Sequence, residues 1–124
     1  MSAGPCIAVV DDEEPVRNML RRMLRLDGFE VAPFASGETF LASLRARLPA
    51  CVILDVHMPE LSGLEVQAQL RAAGARIPAI FITASDDPAL ERTVLEARGV
   101  ALLRKPFSGE AMLGAVHHAL GRGA

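Results

Sequence analysis

Cysteine and long apolar runs are both scarce in this sequence of 124 residues. The two cysteines, Cys6 and Cys51, are too few and too far apart for a zinc site, and they form no Cys-x-x-Cys pair. Both begin apolar, strand-like runs, so we expect buried, reduced thiols. The longest apolar runs have about five residues, against the roughly 18 that a membrane-spanning helix needs. Because the first residues also lack a positively charged signal-peptide start, we expect a cytoplasmic protein without a membrane segment.

An excess of positive charge is also missing. The chain has 13 Lys or Arg against 15 Asp or Glu, a net charge of −2, and no run of basic residues concentrates charge locally. Such a chain has no general attraction for nucleic acid or for an anionic membrane, so DNA binding would need another domain. With 51% apolar residues and no linker or repeat, residues 1–124 are expected to form one folded domain.

Lysine is the scarcest of the charged residue types. Of the 13 basic residues, twelve are arginines and only Lys105 is a lysine. Because arginine serves almost everywhere else in this chain, the single lysine is a candidate for a specific role.

Short apolar runs recur along the whole sequence. Four of them have the length and the β-branched content of strands that are buried on both faces of a parallel sheet. These four runs are residues 6–10, 51–54, 79–82 and 100–103. A fifth run, residues 29–34, contains Pro33. Proline cannot donate to a central ladder, so this strand is predicted at an edge of the sheet.

A helical pattern follows each run. The first begins at Pro15 and ends at Gly28, and its apolar face repeats at the helical period. That face consists of Val16, Met19, Leu20, Met23 and Leu24. Capping residues predict the other four helices, which begin near Ser36, Ser62, Asp87 and Ser108. Five strand–helix repeats predict an α/β fold with a single doubly wound, five-stranded parallel sheet and five helices.

Chemically active side chains follow four of the five predicted strands. Ligands in open α/β sheets bind beyond the carboxyl ends of the strands, near the point where the winding reverses. The residues at those ends are Asp11, Asp12, Asp55, Thr83 and Lys105. Three converging carboxylates repel one another unless a cation or a proton joins them. Carboxylate oxygens without thiolates or an imidazole cluster favour Mg²⁺ over zinc.

A phosphate group would complete such a site. It would bridge the metal, the hydroxyl of Thr83 and the ammonium of Lys105, and a carboxylate can act as the nucleophile that receives it. The compact ammonium of Lys105 suits a narrow site that the broad guanidinium fork of arginine would crowd.

In this order and spacing, the residues resemble the receiver domain of bacterial two-component response regulators. The resemblance covers essentially the whole chain, and it is closest to the FixJ-type subgroup in the segments 55–59 and 105–107, with Gly63 eight residues after Asp55. It implies a flavodoxin-like fold with the strand order 2-1-3-4-5. It also implies that a sensor histidine kinase phosphorylates Asp55, and that the Lys105–Pro106 bond is cis.

The resemblance further implies how Mg²⁺ is held. Asp12 would bind the ion directly, Asp11 chiefly through water, and His57 through its backbone carbonyl, and Asp55 would also belong to the metal site. The imidazole of His57 is expected to point to solvent, and His117 and His118 are expected to be surface or boundary residues. Glu13 and Glu14 are interpreted as partners of the dipole of the first helix.

One position departs from the receiver pattern. Receivers usually carry Tyr or Phe three residues before the lysine, and this chain has Leu102. We expect Leu102 to be a passive filler, so that phosphorylation acts through the Thr83 loop on the surface of the fourth helix, fifth strand and fifth helix. Partner binding or homodimerisation would use that surface. Ala84 is small enough to leave the phosphoryl pocket open.

Three other functions fit parts of the pattern. A degenerate receiver would bind partners without phosphorylation, although all the key residues are present. A haloacid-dehalogenase-like phosphatase also uses an aspartyl nucleophile, but it needs a second carboxylate two residues on, where this chain has His57. A flavodoxin-type electron carrier would need a phosphate loop in place of the four acids after the first strand. We therefore expect a switch whose only catalysis is its own phosphoryl transfer and dephosphorylation, with Gly121–Ala124 fitting either a free end or the start of a linker to an output domain.

Overall fold

The computed structural model describes residues 4–122, in which five strands alternate with five helices. The strands are β1 (Cys6–Val10), β2 (Glu30–Phe34), β3 (Cys51–Asp55), β4 (Ala79–Thr83) and β5 (Ala101–Arg104). The helices are α1 (Glu14–Leu26), α2 (Gly37–Ser43), α3 (Gly63–Ala72), α4 (Ala89–Glu96) and α5 (Gly109–Ala119). Every element predicted from the sequence is present, with small shifts at its ends.

The five strands form one parallel sheet in the order β2-β1-β3-β4-β5. This order confirms the predicted doubly wound, flavodoxin-like fold. Pro33 lies on the edge strand β2, opposite Val9 of β1, as its missing N–H required. The chain winds from β1 to β2 on one side and to β3 on the other, so the winding reverses between the carboxyl ends of β1 and β3.

Alternate residues of the strands enter two apolar cores, one on each face of the sheet. The core beneath α2, α3 and α4 includes Val10, Leu54, Phe81, Phe40, Val66, Leu90 and Val94. The core beneath α1 and α5 includes Val9, Ile53, Ile82, Leu20, Leu24, Met112 and Val116. Helices on both faces bury the sheet and leave the ends of the strands as the open sites.

Helix α1 corrects one detail of the predicted core. Leu20 and Leu24 are fully buried, whereas Met19 is 42% exposed. The prediction for Met19 was wrong because this residue lies about 100° around the helix from Leu20, at the margin of the stripe that faces the sheet. Cys6 and Cys51 are buried free thiols, as predicted, and burial raises the pKa of Cys51 to about 12.

His117 has a partner that its sequence neighbours did not reveal. Its Nε2 atom lies 2.7 Å from Oδ2 of Asp27, and its ring centroid lies 5.4 Å from that of Phe29. The last turn of α5 is therefore joined to the end of α1. No helix within residues 4–122 is long and apolar enough to span a bilayer.

Candidate functional site

Three carboxylates meet at the reversal point of the sheet. Asp11 and Asp12 directly follow β1, and Asp55 is the last residue of β3. Because β1 and β3 are parallel neighbours, with Val10 opposite Leu54, their ends bring the three acids together. One carboxylate oxygen of each residue lies within 4.8 Å of the others. Asp11 and Asp55 are buried and Asp12 is exposed, so the cluster opens to solvent on one side.

Lys105 extends from the end of β5 into this cluster. Its Nζ atom donates to Oδ2 of Asp11 at 3.0 Å and lies 3.7 Å from Oδ2 of Asp55. Burial alone would lower the pKa of Lys105, but the hydrogen bond to Asp11 and the charges of Asp55 and Asp11 raise it above its ordinary value. The chain's single lysine is therefore a firmly charged ammonium between two buried acids.

Glu13 also contacts the lysine, which the sequence did not reveal. Its Oε1 atom accepts a hydrogen bond from Nζ of Lys105 at 3.2 Å, and its backbone N–H donates to Oδ1 of Asp11 at 2.8 Å. Glu13 occupies the N-cap position of α1 without a side-chain capping bond. The interpretation of Glu13 as a dipole partner alone was incomplete, because the sequence does not show that Lys105 comes within reach.

Asp55 has an unusual environment for an acid. Burial first, and then the charge of Asp11, raise its pKa to about 6, although Lys105 and the His57 N–H act in the opposite direction. That N–H lies 3.4 Å from Oδ1 of Asp55, while the side chain of His57 is exposed as expected. A cation that joins the cluster would stabilise the ionised form of Asp55, because it offsets the repulsion from the neighbouring carboxylates.

Thr83 and Ala84 lie at the end of β4, between Asp55 and Lys105 in the order of the sheet. Thr83 is fully buried, and its hydroxyl accepts the N–H of Ser85 at 3.0 Å. Its carbonyl accepts the N–H of Lys105 at 2.7 Å. Ala84 is exposed, and its side chain is only a methyl group.

Backbone geometry shapes the rim of the site. The Lys105–Pro106 peptide bond is cis, as the resemblance implied. A Cβ atom at Gly63 would collide with the carbonyl oxygen of Asp55, so only glycine allows the start of α3 to pack against the end of β3. Leu102 is half-buried and packs against the core beneath α4.

Arg104 is a second residue that sequence reasoning missed. Its Nη1 atom donates to the carbonyl of Ser85 at 2.6 Å, and its Nη2 atom to the carbonyl of Asp87 at 3.2 Å. Strand periodicity places Arg104 on the same face of the sheet as Leu102, but it does not predict hydrogen bonds to those two carbonyls.

The acidic cluster suits a hard divalent cation. Its donors are carboxylate oxygens, and neither buried cysteine belongs to it. Oxygen donors without sulfur or nitrogen are typical of Mg²⁺ sites, so the residues present fit that ion. The fold and the site together define a doubly wound, flavodoxin-like α/β domain with an acidic pocket able to take a metal.

Comparison with known proteins identifies the family. The family model of the response regulator receiver domain matches residues 7–117. The chain therefore belongs to this family. Receiver domains of response regulators are signalling modules that work with histidine kinases and output domains.

Individual relatives agree with this assignment. The response regulator protein TodT of Pseudomonas putida is 40% identical over 114 residues, which are 92% of this chain and 50% of TodT. Nodulation protein W of Bradyrhizobium diazoefficiens is 35% identical over 115 residues, 93% of this chain and 51% of that protein. The chain therefore spans about half the length of these curated relatives.

Solved structures agree with the fold in the same way. A response regulator receiver protein from Burkholderia phymatum is 44% identical, with a TM-score of 0.87 and 98% of each chain covered. FixJ-N, known from a crystal structure, is 32% identical, with a TM-score of 0.88, and the match covers 99% of this chain and 98% of that one. The resemblance to the FixJ-type subgroup is thereby confirmed.

Proposed function

We propose that residues 1–124 form one receiver unit that works in the cytoplasm as a phosphorylation-dependent switch, with Asp55 as its phosphoacceptor. The observation that carries this proposal is the position of Asp55. It is a buried carboxylate that lies 3.7 Å from the ammonium of Lys105 and shares a cluster with Asp11 and Asp12. With a pKa of about 6, Asp55 is mostly ionised at neutral pH and available as a nucleophile.

The reaction is phosphoryl transfer from a phosphohistidine of a sensor histidine kinase. A carboxylate oxygen of Asp55 bonds to phosphorus while the phosphorus–nitrogen bond breaks, and the imidazole leaves with its electron pair and takes up a proton. Lys105 supplies a fixed positive charge for one phosphoryl oxygen, and the Thr83 hydroxyl can donate to another. Hydrolysis of the resulting acyl phosphate returns Asp55 to its resting form.

The acids beside Asp55 provide the metal site. Asp11, Asp12 and Asp55, with the backbone carbonyl of His57, would hold Mg²⁺, which supplies positive charge against the phosphoryl oxygens.

The signal leaves the site through Thr83. When its hydroxyl turns to the phosphoryl group, the loop between β4 and α4 follows, and the surface of α4, β5 and α5 changes. A ligand shifts such an equilibrium only through its different affinity for the two states. We expect that surface to change its binding of an output domain, a partner protein or a second copy of this chain.

The switch can be tested without knowing the partner. Backbone amide NMR spectra would be compared with and without Mg²⁺ and fluoroberyllate, a stable mimic of the phosphoryl group. Shifts are expected in residues 83–89 and across α4, β5 and α5, and Asp55→Asn should abolish them. A spectrum of the wild-type protein that does not change would favour a phosphorylation-independent binding module. Many turnovers of p-nitrophenyl phosphate per protein would instead favour the aspartyl phosphatase.

A further inference from the structure

Arg104 joins β5 to the loop between β4 and α4. Its planar guanidinium donates to two carbonyls of that loop, at 2.6 Å to Ser85 and at 3.2 Å to Asp87. A guanidinium presents its N–H groups in a rigid fork, so two acceptors held at once fix their relative position as well as their distance. The three N–H groups of a lysine ammonium share one nitrogen and rotate freely, so a lysine here would not fix the relative position of the two carbonyls.

The direction of the side chain follows from strand geometry. Successive residues of a strand face opposite sides of the sheet. Leu103 packs in the core beneath α1 and α5, whereas Leu102 packs in the core beneath α4. Arg104 therefore points to the α4 side, where the loop that begins at Ala84 crosses the end of the sheet.

The other side-chain hydrogen bonds of the loop are local. Ser85 N–H donates to Thr83 Oγ1 at 3.0 Å, Asp87 N–H to Ser85 Oγ at 3.1 Å, and Ala89 N–H to Asp87 Oδ1 at 3.0 Å. Each joins residues two positions apart, so these bonds can move together with the loop. The bonds from Arg104 span 19 and 17 residues, and they resist a displacement of the loop from β5.

The same contacts connect the reactive site to α4. Ser85 donates its N–H to the hydroxyl of Thr83 and accepts a hydrogen bond from Arg104 at its carbonyl. The carbonyl of Asp87 accepts hydrogen bonds from Arg104 and from the N–H of Leu90 in the first turn of α4. If Thr83 moves towards Asp55 and the loop moves with it, the distances from the guanidinium to the two loop carbonyls must therefore change.

We propose that Arg104 is a latch that holds the β4–α4 loop in its resting position and thereby weakens the affinity of the site for a phosphoryl group. This inference rests on the proposed function, in which Thr83 turns to that group. Arg104 would then connect β5 to the loop directly, in a chain where the aromatic residue usual at position 102 is replaced by leucine. Loss of the latch makes the loop easier to move, so Arg104 acts as a positioning residue through Ser85 and Thr83.

The test compares the affinity of folded protein for fluoroberyllate in the presence of Mg²⁺, measured by titration calorimetry. Arg104→Met removes both hydrogen bonds and keeps an unbranched side chain in place of the aliphatic part of the arginine. Since a net hydrogen bond contributes only modestly to a conformational equilibrium, binding to Arg104→Met should be about three- to tenfold tighter than to wild type. Arg104→Lys should fall between the two. The control is Arg92→Met, which removes an exposed arginine of α4 and should bind as wild type does.

A purely structural role for Arg104 would lower the stability of the ligand-free protein without tightening the site. Hydrogen exchange of the ligand-free variant adds a second readout, in which the Ser85 amide should exchange faster while the amides of β3 keep their protection. Equal or weaker binding of fluoroberyllate by Arg104→Met would overturn the latch and leave the proposed function standing. Absence of Mg²⁺-dependent binding by the wild type would overturn the proposed function and the latch with it.

Discussion

The ammonium of Lys105 lies 3.0 Å from Oδ2 of Asp11 and 3.7 Å from Oδ2 of Asp55, so one lysine serves two buried acids. Asp11 is fully inaccessible to solvent, and its charge is compensated by this contact rather than by water. Lys105 therefore stabilises the resting site, and under the proposed function the same ammonium would face a phosphoryl oxygen.

Replacement of Lys105 should affect stability and reactivity separately. Lys105→Met leaves the charges of Asp11 and Asp55 unpaired, so the metal-free protein should lose about 3 kcal/mol of unfolding free energy, and Mg²⁺ should restore part of it. Lys105→Arg keeps the charge but crowds the site, so it should unfold nearly as wild type does while its phosphorylation slows by at least about tenfold. Urea denaturation with and without Mg²⁺ measures the first effect. Unchanged stability of Lys105→Met in chelator would contradict this role of the ammonium.

Asp55→Asn should make the metal-free protein more stable at neutral pH. The pKa of Asp55 is raised from 3.8 to about 6 in the folded state, so the folded state holds this proton more tightly than the unfolded chain does. The resulting stabilisation is complete below about pH 4 and is lost as the pH rises through 6, a change of about 3 kcal/mol at most. Asparagine does not titrate.

The stability difference between Asp55→Asn and the wild type should therefore widen between pH 4 and pH 7. It is measured by urea denaturation in chelator at several pH values within that range. A difference that stays constant across this range would mean that Asp55 does not have a raised pKa.

Ala84→Leu should slow phosphorylation without unfolding the protein. Ala84 is exposed beside Thr83, so a leucine there narrows the approach to Asp55 while the core stays intact. The rate with a small phosphodonor should fall about tenfold, and the unfolding free energy should change by less than about 0.5 kcal/mol. An unchanged rate would mean that donors do not approach the site past residue 84.

Leu102 should not relay the signal. Leu102→Ala should lower stability by about 2 kcal/mol because it truncates a half-buried side chain. Under the proposed function, it should nevertheless keep the change in self-association or partner binding that phosphorylation is expected to produce. Leu102→Phe provides the matched enlargement, and sedimentation of the phosphorylated variants measures the coupling. If folded Leu102→Ala phosphorylates normally but no longer responds, Leu102 is a relay.

The sequence contains enough information for the sheet and for the core of the site. Apolar runs, caps and the edge position of Pro33 give the strand–helix order, and parallel strands necessarily bring Asp11, Asp12 and Asp55 to one edge. These predictions depend only on periodicity and on where each strand ends.

Contacts between distant side chains were not predictable in the same way. The bonds from Lys105 to Glu13 and from Arg104 to Ser85 depend on how loops cross the strand ends. The pairing of His117 with Asp27 depends on the relative rotation of α1 and α5, as does the exposure of Met19. Such details are set by tertiary packing, which a one-dimensional pattern does not record.

Asp55 is proposed to accept a phosphoryl group with the help of Mg²⁺. Intact mass spectrometry after incubation with acetyl phosphate tests it directly, with wild type and Asp55→Asn compared in Mg²⁺ and in excess chelator. The expected result is the mass of one added phosphoryl group on the wild type in Mg²⁺ alone. A phosphoryl group on Asp55→Asn, or equal phosphorylation of the wild type in chelator, would contradict the assignment.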